Sequence, residues 1–244
     1  MPQTTRSYHH GDLRVALVDA GLELARVGGV DAVGVREVTR QAGVSPASVY
    51  RHFDDHRALV VAVALAAQDR LAEAMVERIG TLVDEASALV DDAASLVDEI
   101  GSLLEEEGTS PDGATSSADA LTSELAVARL RGVGLGYIDF ALAEPGWFEL
   151  ALLTFDPRPG GGPAVMVDSE VPAPFLLLLD ALDGCVAAGV LTPQQREHAE
   201  WPCWSAVHGF ADIATRGPLV GQDPAALAAL GRRVVEAIIA GLRA

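Results

Sequence analysis

The sequence predicts an all-α protein. Apolar residues recur at three- and four-residue spacing through most of the 244 residues, and Gly and Pro stand between those runs. No stretch alternates apolar and polar residues long enough to make a strand, and with half the residues apolar the chain can bury a real core.

The elements follow in order. A first helix opens at His10-Gly11-Asp12, where Asp12 can cap free amides, carries Leu13, Leu17, Ala20 and Leu24 on one face, and stops at Gly28-Gly29. A second reads over 35–42, with Gly43 where a left-handed C-cap belongs. Ser45 can cap a third helix, with Pro46 at its first position, where a missing amide proton costs nothing; it holds Val49 and Phe53 and ends near Asp54-Asp55. A fourth helix runs from there through Leu59, Val63 and Ala66 to about Ile79. Beyond it the spacing predicts helices over 86–104, 121–143, 147–155, 174–188, 193–215 and 224–242, with loops over the polar stretch 105–119 and the Gly- and Pro-rich stretch 156–174. The expected division is residues 1–56, the short-helix part, and residues 57–244, the longer helical remainder.

The charge is uneven. The formal net charge is −18, yet residues 1–60 hold seven Arg against seven acids and four of the six His, which leaves ten Arg against twenty-eight acids in the rest. An acidic body repels a nucleic-acid duplex everywhere except where a neutral, Arg- and His-bearing tip touches it. The chain has no Lys, so every obligate cation is Arg. Cys185 and Cys203 are too few and too far apart for a disulfide framework or a thiolate metal site and read as reduced core residues. No charged segment leading into an apolar stretch opens the chain, and no uncharged apolar run reaches the roughly 18 residues a membrane span needs. The expectation is a cytoplasmic protein with no membrane partner.

The informative stretch is 38–53. A helix-turn-helix needs two helices crossing steeply over a short turn; Val38 and Val49 can meet across such a crossing, Ala42 is small, and Gly43 permits a positive φ. Ala47, Ser48, Tyr50, Arg51 and His52 then stay outside, a set of short, aromatic and basic side chains suited to a major groove. Spacing alone leaves open a plain helical hairpin, with Gly43 a simple C-cap and Arg51 a solvated charge.

The residues as written add more. Tyr8-His9-His10-Gly11-Asp12-Leu13-Arg14, Val35-Arg36-Glu37-Val38, Ala42-Gly43-Val44-Ser45 and Val49-Tyr50-Arg51-His52-Phe53 together resemble the N-terminal domain of the tetracycline-repressor (TetR) family over residues 8–65. Glu144-Pro145-Gly146-Trp147-Phe148 and Trp204-Ser205-Ala206-Val207-His208-Gly209-Phe210 resemble the Trp-His-Gly motif in one branch of that family's ligand domains. The resemblance implies that Ser45, Pro46, Ala47, Ser48 and Arg51 lie in or beside the major groove and that Arg36, Tyr50 and His52 touch phosphates. The chemistry agrees: the Tyr50 hydroxyl can donate to phosphate, Arg51 can fork onto a guanine edge, and Arg6 could reach the duplex as an arm. This chain departs from the family pattern twice. Gly34 stands where Ser or Thr usually caps the second helix, and Asp54-Asp55-His56-Arg57 stands where Lys usually opens the fourth, leaving His56 or Arg57 as the substitute contact.

The resemblance also implies a homodimer joined through its last two helices, for which Leu227, Leu230, Val234 and Ile238 offer an apolar face beside 204–213. Such a dimer would read a palindromic double-stranded operator and respond to a small-molecule effector. Tyr137, Asp139, Phe140, Trp147, Phe148, Phe155, Trp204 and His208 are the candidate effector-binding residues, although core packing explains the aromatics equally well. Gly132, Gly134 and Gly136 either leave a cavity or let helices approach, and His208 and Asp212 share a helix face. Asp139 within an apolar segment suggests a cationic lipophilic effector. Two other readings stay open, a DNA-binding adaptor answering to a protein partner and an all-α enzyme with a structural hairpin. The enzyme reading lacks paired carboxylates, a nucleophile-base pair, a metal-ligand spacing or a cofactor loop.

Overall fold

A computed structural model describes residues 10–105, 114–152 and 173–244, and every regular element among them is helical. Arg6, Phe155 and most of the two expected loops lie outside the described residues. The chain divides into two compact units, residues 1–71 with 143–173 and residues 72–142 with 174–244.

Unit 1 is built from α1 (His10–Gly28), α2 (Val35–Gln41), α3 (Pro46–Val49), the first part of α4 (His56–Glu105) and α6 (Pro145–Leu152). Its core gathers Leu17, Val38, Val49, Phe53, Leu59 and Val63, all less than 5% exposed. Val38 and Val49 therefore share one core, as the hairpin requires. α6 is seated on α1 by polar contacts. The Trp147 indole N–H donates to the Leu22 carbonyl at 2.7 Å, and Arg26 lies 5.1 Å over the same ring while its guanidinium pairs with Glu144.

Unit 2 holds the rest of α4, α5 (Ala114–Ala143), α7 (Ala173–Ala187), α8 (Pro193–Arg196), α9 (Glu200–Thr215) and α10 (Pro224–Leu242). Three expectations change here. The break near Ile79 does not exist: α4 passes Gly80 and continues to Glu105, because one glycine in a helix costs only about 1 kcal/mol. α5 starts at Ala114, within the polar stretch expected to be a loop. The helix expected over 193–215 is two helices, because Pro202 in a continuous helix would clash with the His198 carbonyl. The chain breaks at His198, φ +59°, and Pro202 falls in the first turn of α9. The glycines of α5 serve close approach. A Cβ at Gly132 or Gly136 would lie 2.7 Å from the backbone of Ile79 or Met75 on α4.

Among the described residues no helix is long and apolar enough to cross a membrane, and no group of three His, Cys, Asp or Glu side chains could hold a metal ion. Both cysteines are free and buried.

Candidate functional site

Turn chemistry sets the tip of unit 1. α2 ends in a Schellman arrangement, with Gly43 at φ +70°, the Val44 N–H donating to the Thr39 carbonyl at 2.9 Å and the Gly43 N–H to the Arg40 carbonyl at 3.4 Å. Only glycine reaches that φ without strain, so the path into α3 depends on it. Thr39, buried below the turn, donates its hydroxyl back to the Val35 carbonyl at 2.8 Å.

Ser45 occupies the N-cap of α3 with extended backbone, and Pro46 is the first helical residue. The expected side-chain cap is not made; the Ser45 and Ser48 hydroxyls pair at 2.9 Å. α3 is a single turn, continued by the Arg51 N–H to Ser48 and the His52 and Phe53 N–H groups to their carbonyl partners. Gly34 leaves α2 without a side-chain cap, and Glu37 folds back into the space a Cβ would fill.

The predicted contact residues divide by exposure. Arg36, Ser45, Pro46, Ala47, Tyr50 and Arg51 are exposed, with 58% of Tyr50 open to solvent; Ser48 and His52 are half-buried. No ion pair engages Arg36 or Arg51 among the described residues. His56 is tied down: its Nε2 is 2.7 Å from the Val33 carbonyl, which fixes that nitrogen as a donor. Asp55, one of the two acids that breaks the family pattern, caps α4 by accepting the Ala58 N–H at 2.7 Å. Sequence reasoning missed Arg40, which is exposed one turn beyond Arg36 on α2 and also outside any ion pair among the described residues. The i, i+4 spacing was the available signal.

The expected effector residues fall in both units. Trp147 and Phe148 belong to α6 in unit 1, where Trp147 serves the α1 contact; Tyr137, Phe140, Trp204 and His208 belong to unit 2. Asp139 points outward, half-exposed, with Arg78 Nε 3.3 Å from its carboxylate. Desolvation raises its pKa, opposed by Arg78 and Arg232. The carboxylate that suggested a cationic effector is therefore already engaged by an arginine. Asp212 likewise pairs with Arg216, not with His208.

His208 meets Tyr137, with 2.9 Å between the phenol oxygen and Nδ1. Burial lowers the His208 pKa and raises that of Tyr137, so the pair is uncharged near neutral pH. Tyr137 borders a cavity of about 20 Å³, whose lining among the described residues includes Met75, Leu178, Val207, Ile238 and Trp204. On α10 the buried residues are Leu227, Gly231, Val235 and Ile239. Leu227 therefore turns inward, and Leu230 is the member of the expected pairing face that is exposed. Gly209 and Ile213 on α9 are exposed as well.

Two family models match the chain. One, described as bacterial regulatory proteins of the tetR family, matches residues 17–63, and the other, a tetracyclin repressor-like C-terminal domain, matches residues 130–240. Two solved structures share the fold. The structure of a protein of unknown function from Rhodococcus sp. RHA1 aligns over 98% of this chain and 100% of its own, with 24% identity and a TM-score of 0.59. That of a candidate TetR-family transcriptional regulator from Mesorhizobium loti MAFF303099 aligns over 96% and 98%, with 14% identity and a TM-score of 0.55. No protein of curated function matches the chain.

Proposed function

Because the chain belongs to the tetracycline-repressor (TetR) family and is a DNA-binding transcriptional regulator, we propose that it is a ligand-responsive repressor that binds a palindromic operator as a homodimer. In this reading residues 1–56 read DNA and residues 57–244 bind the effector and pair the protomers. Arg51, with Ser45, Pro46, Ala47 and Ser48 around it, enters the major groove; Arg36, Arg40 and Tyr50 hold phosphates. His52 and His56 have smaller shares, the first half-buried and the second held by Val33.

The observation that carries the reading is the tip itself. A glycine-dependent turn aims a short helix outward, and among the described residues its exposed cations have no carboxylate to neutralise them. Phosphate and base edges are the missing partners.

The exposed Gly209, Ile213 and Leu230 support pairing through α9 and α10, which would set two reading heads about 34 to 36 Å apart on successive turns of DNA. An effector that prefers a different head spacing shifts the population away from the operator-binding form. A mobility-shift experiment with the DNA flanking the protein's own gene tests this. A salt-sensitive complex with a palindrome, at two protomers per site, is expected; absence of any complex at low salt refutes the reading.

A further inference from the structure

In unit 2, α4 carries an apolar seam that α5 covers only in part. From Ile79 through Leu82, Ala86, Leu89 and Ala93 to Leu96 the residues advance by three and four, the spacing of a coiled-coil seam. At its inner end the cover is close: a Cβ at Gly132 or Gly136 of α5 would meet the Ile79 or Met75 backbone, and Met75 is buried. Farther out the seam is open, with Leu89 70% and Leu96 58% exposed. The two helices leave a groove of about 510 Å³ there, lined by Leu82, Ala86 and Leu89 of α4 and by Leu121, Glu124 and Ala128 of α5, among others. Contiguous exposed leucine of this kind marks an interaction surface.

Charge narrows the choice of occupant. Between Arg78 and Arg129 the sequence has twelve acids and no Arg, Lys or His. Glu85 and Asp92, both exposed, fall seven residues apart beside the seam, on the flank where a coiled coil selects its partner's charge. Arg131 also lines the groove, but Glu236 already holds it. A second copy would bring twelve acids against twelve, and DNA and anionic lipid carry the same sign, so all three are repelled. A helix with leucine-sized anchors at i, i+3 or i+4 and i+7, and Lys or Arg beside them, matches the groove in both shape and sign. The seam from Leu82 to Leu96 rises about 21 Å, close to four turns of such a helix.

We propose that the outer part of α4 and the facing start of α5 form a docking groove for a basic amphipathic helix of another protein. The partner's apolar stripe covers Leu82, Leu89 and Leu96, and its cations face Glu85, Asp92 and Glu124. None of the groove's lining residues belongs to the reading tip or to the exposed residues of α9 and α10, so its occupancy is measured independently of operator binding.

Fluorescence anisotropy of the full chain with three labelled peptides of about three heptads each provides the test. The first peptide has Leu at the seam positions and Lys elsewhere, the second has Glu for every Lys, and the third scrambles the order of the first. The first is expected to bind at least about tenfold tighter than the other two. Leu89→Ser should weaken it about tenfold, the loss of one buried leucine contact, and a position so exposed accepts the change without unfolding. Val27→Ser, at a 92% exposed apolar position on α1, should leave the affinity unchanged. Glu85→Gln together with Glu124→Gln should weaken binding about threefold at low salt and less at high salt. Equal binding of the scrambled peptide would reduce the site to diffuse charge, equal binding of the Glu peptide would remove the charge preference, and an unchanged affinity in Leu89→Ser would place the peptide elsewhere. Each of these overturns the proposal, as does no binding of the first peptide. A fall in the sedimentation mass of the chain alone on Leu89→Ser would make the occupant a second copy and overturn it too. An intact operator complex in any of these cases leaves the regulator reading in place.

Discussion

Arginine behaves differently in the two units. In unit 2 it is largely consumed internally: Arg78 pairs with Asp139, Arg129 with Asp180, Arg131 with Glu236, Arg196 with Asp183 and Glu200, and Arg216 with Asp212. At the tip of unit 1, Arg36, Arg40 and Arg51 are exposed and outside any ion pair among the described residues. Acids outnumber cations so heavily beyond residue 60 that each of these arginines finds a carboxylate nearby, whereas the tip keeps its cations for an anion from elsewhere. The lesson is that net charge, −18 for the chain, says little about DNA binding until one asks which cations are already neutralised.

The sharpest way to break this contrast is to remove a tip cation. Arg51→Ala should weaken operator binding about a hundredfold, the value of a bidentate guanine contact near the top of its range, with no change in thermal unfolding. Arg36→Ala should weaken binding to all sequences alike and lower the slope of log affinity against log salt by about one. Anisotropy titrations at several salt concentrations read both. Unfolding of Arg51→Ala at an unchanged affinity for DNA would make the residue structural and erase the contrast.

The turn that aims those cations comes next. Gly43→Val places a β-branched residue at φ +70°, where the strain is about 1 to 2 kcal/mol, so the unfolding midpoint in urea should fall and operator binding with it. In unit 2 the corresponding cut is Asp180→Ala. Both partners of that pair are about half exposed, so water already screens them, and the loss should be about 0.5 kcal/mol or less. A larger loss would mean that the ion pairs of unit 2 hold it together and do not merely occupy its arginines.

Legibility followed the same division. The reading head was open to sequence analysis because its determinants are local: Gly43 two residues past α2, Pro46 at the start of α3, and Val38 and Val49 eleven residues apart. Only the fates of single side chains escaped, such as the Ser45 hydroxyl turning to Ser48 and His56 to Val33. Unit 2 and α6 depend on partners far along the chain. Arg78 is sixty-one residues from Asp139, Leu22 is one hundred and twenty-five from Trp147, and nothing in the local pattern foretells either pairing. Helix boundaries failed for a related reason. Gly80 looked like a stop, Pro202 looked like an ordinary helical position, and each was decided by packing or by a carbonyl four residues back.

The smallest effect tests the uncharged character of the Tyr137–His208 pair. Burial lowers the His208 pKa; Asp212 partly offsets this, and Arg216 adds to the lowering. A histidine whose folded pKa lies below its unfolded value of about 6.5 binds its proton more readily when unfolded, so stability rises with pH across that interval. The stabilisation is present above about pH 6.5 and is lost as pH falls below it toward the folded value. Thermal melts from pH 7.5 to 5.0 should therefore show a decline that is shallower in His208→Gln, measured as the difference between the two proteins so that other titrations cancel. Half-burial keeps the effect modest. If the two proteins decline in parallel, His208 is not held neutral by its surroundings, and its pair with Tyr137 is open to charge.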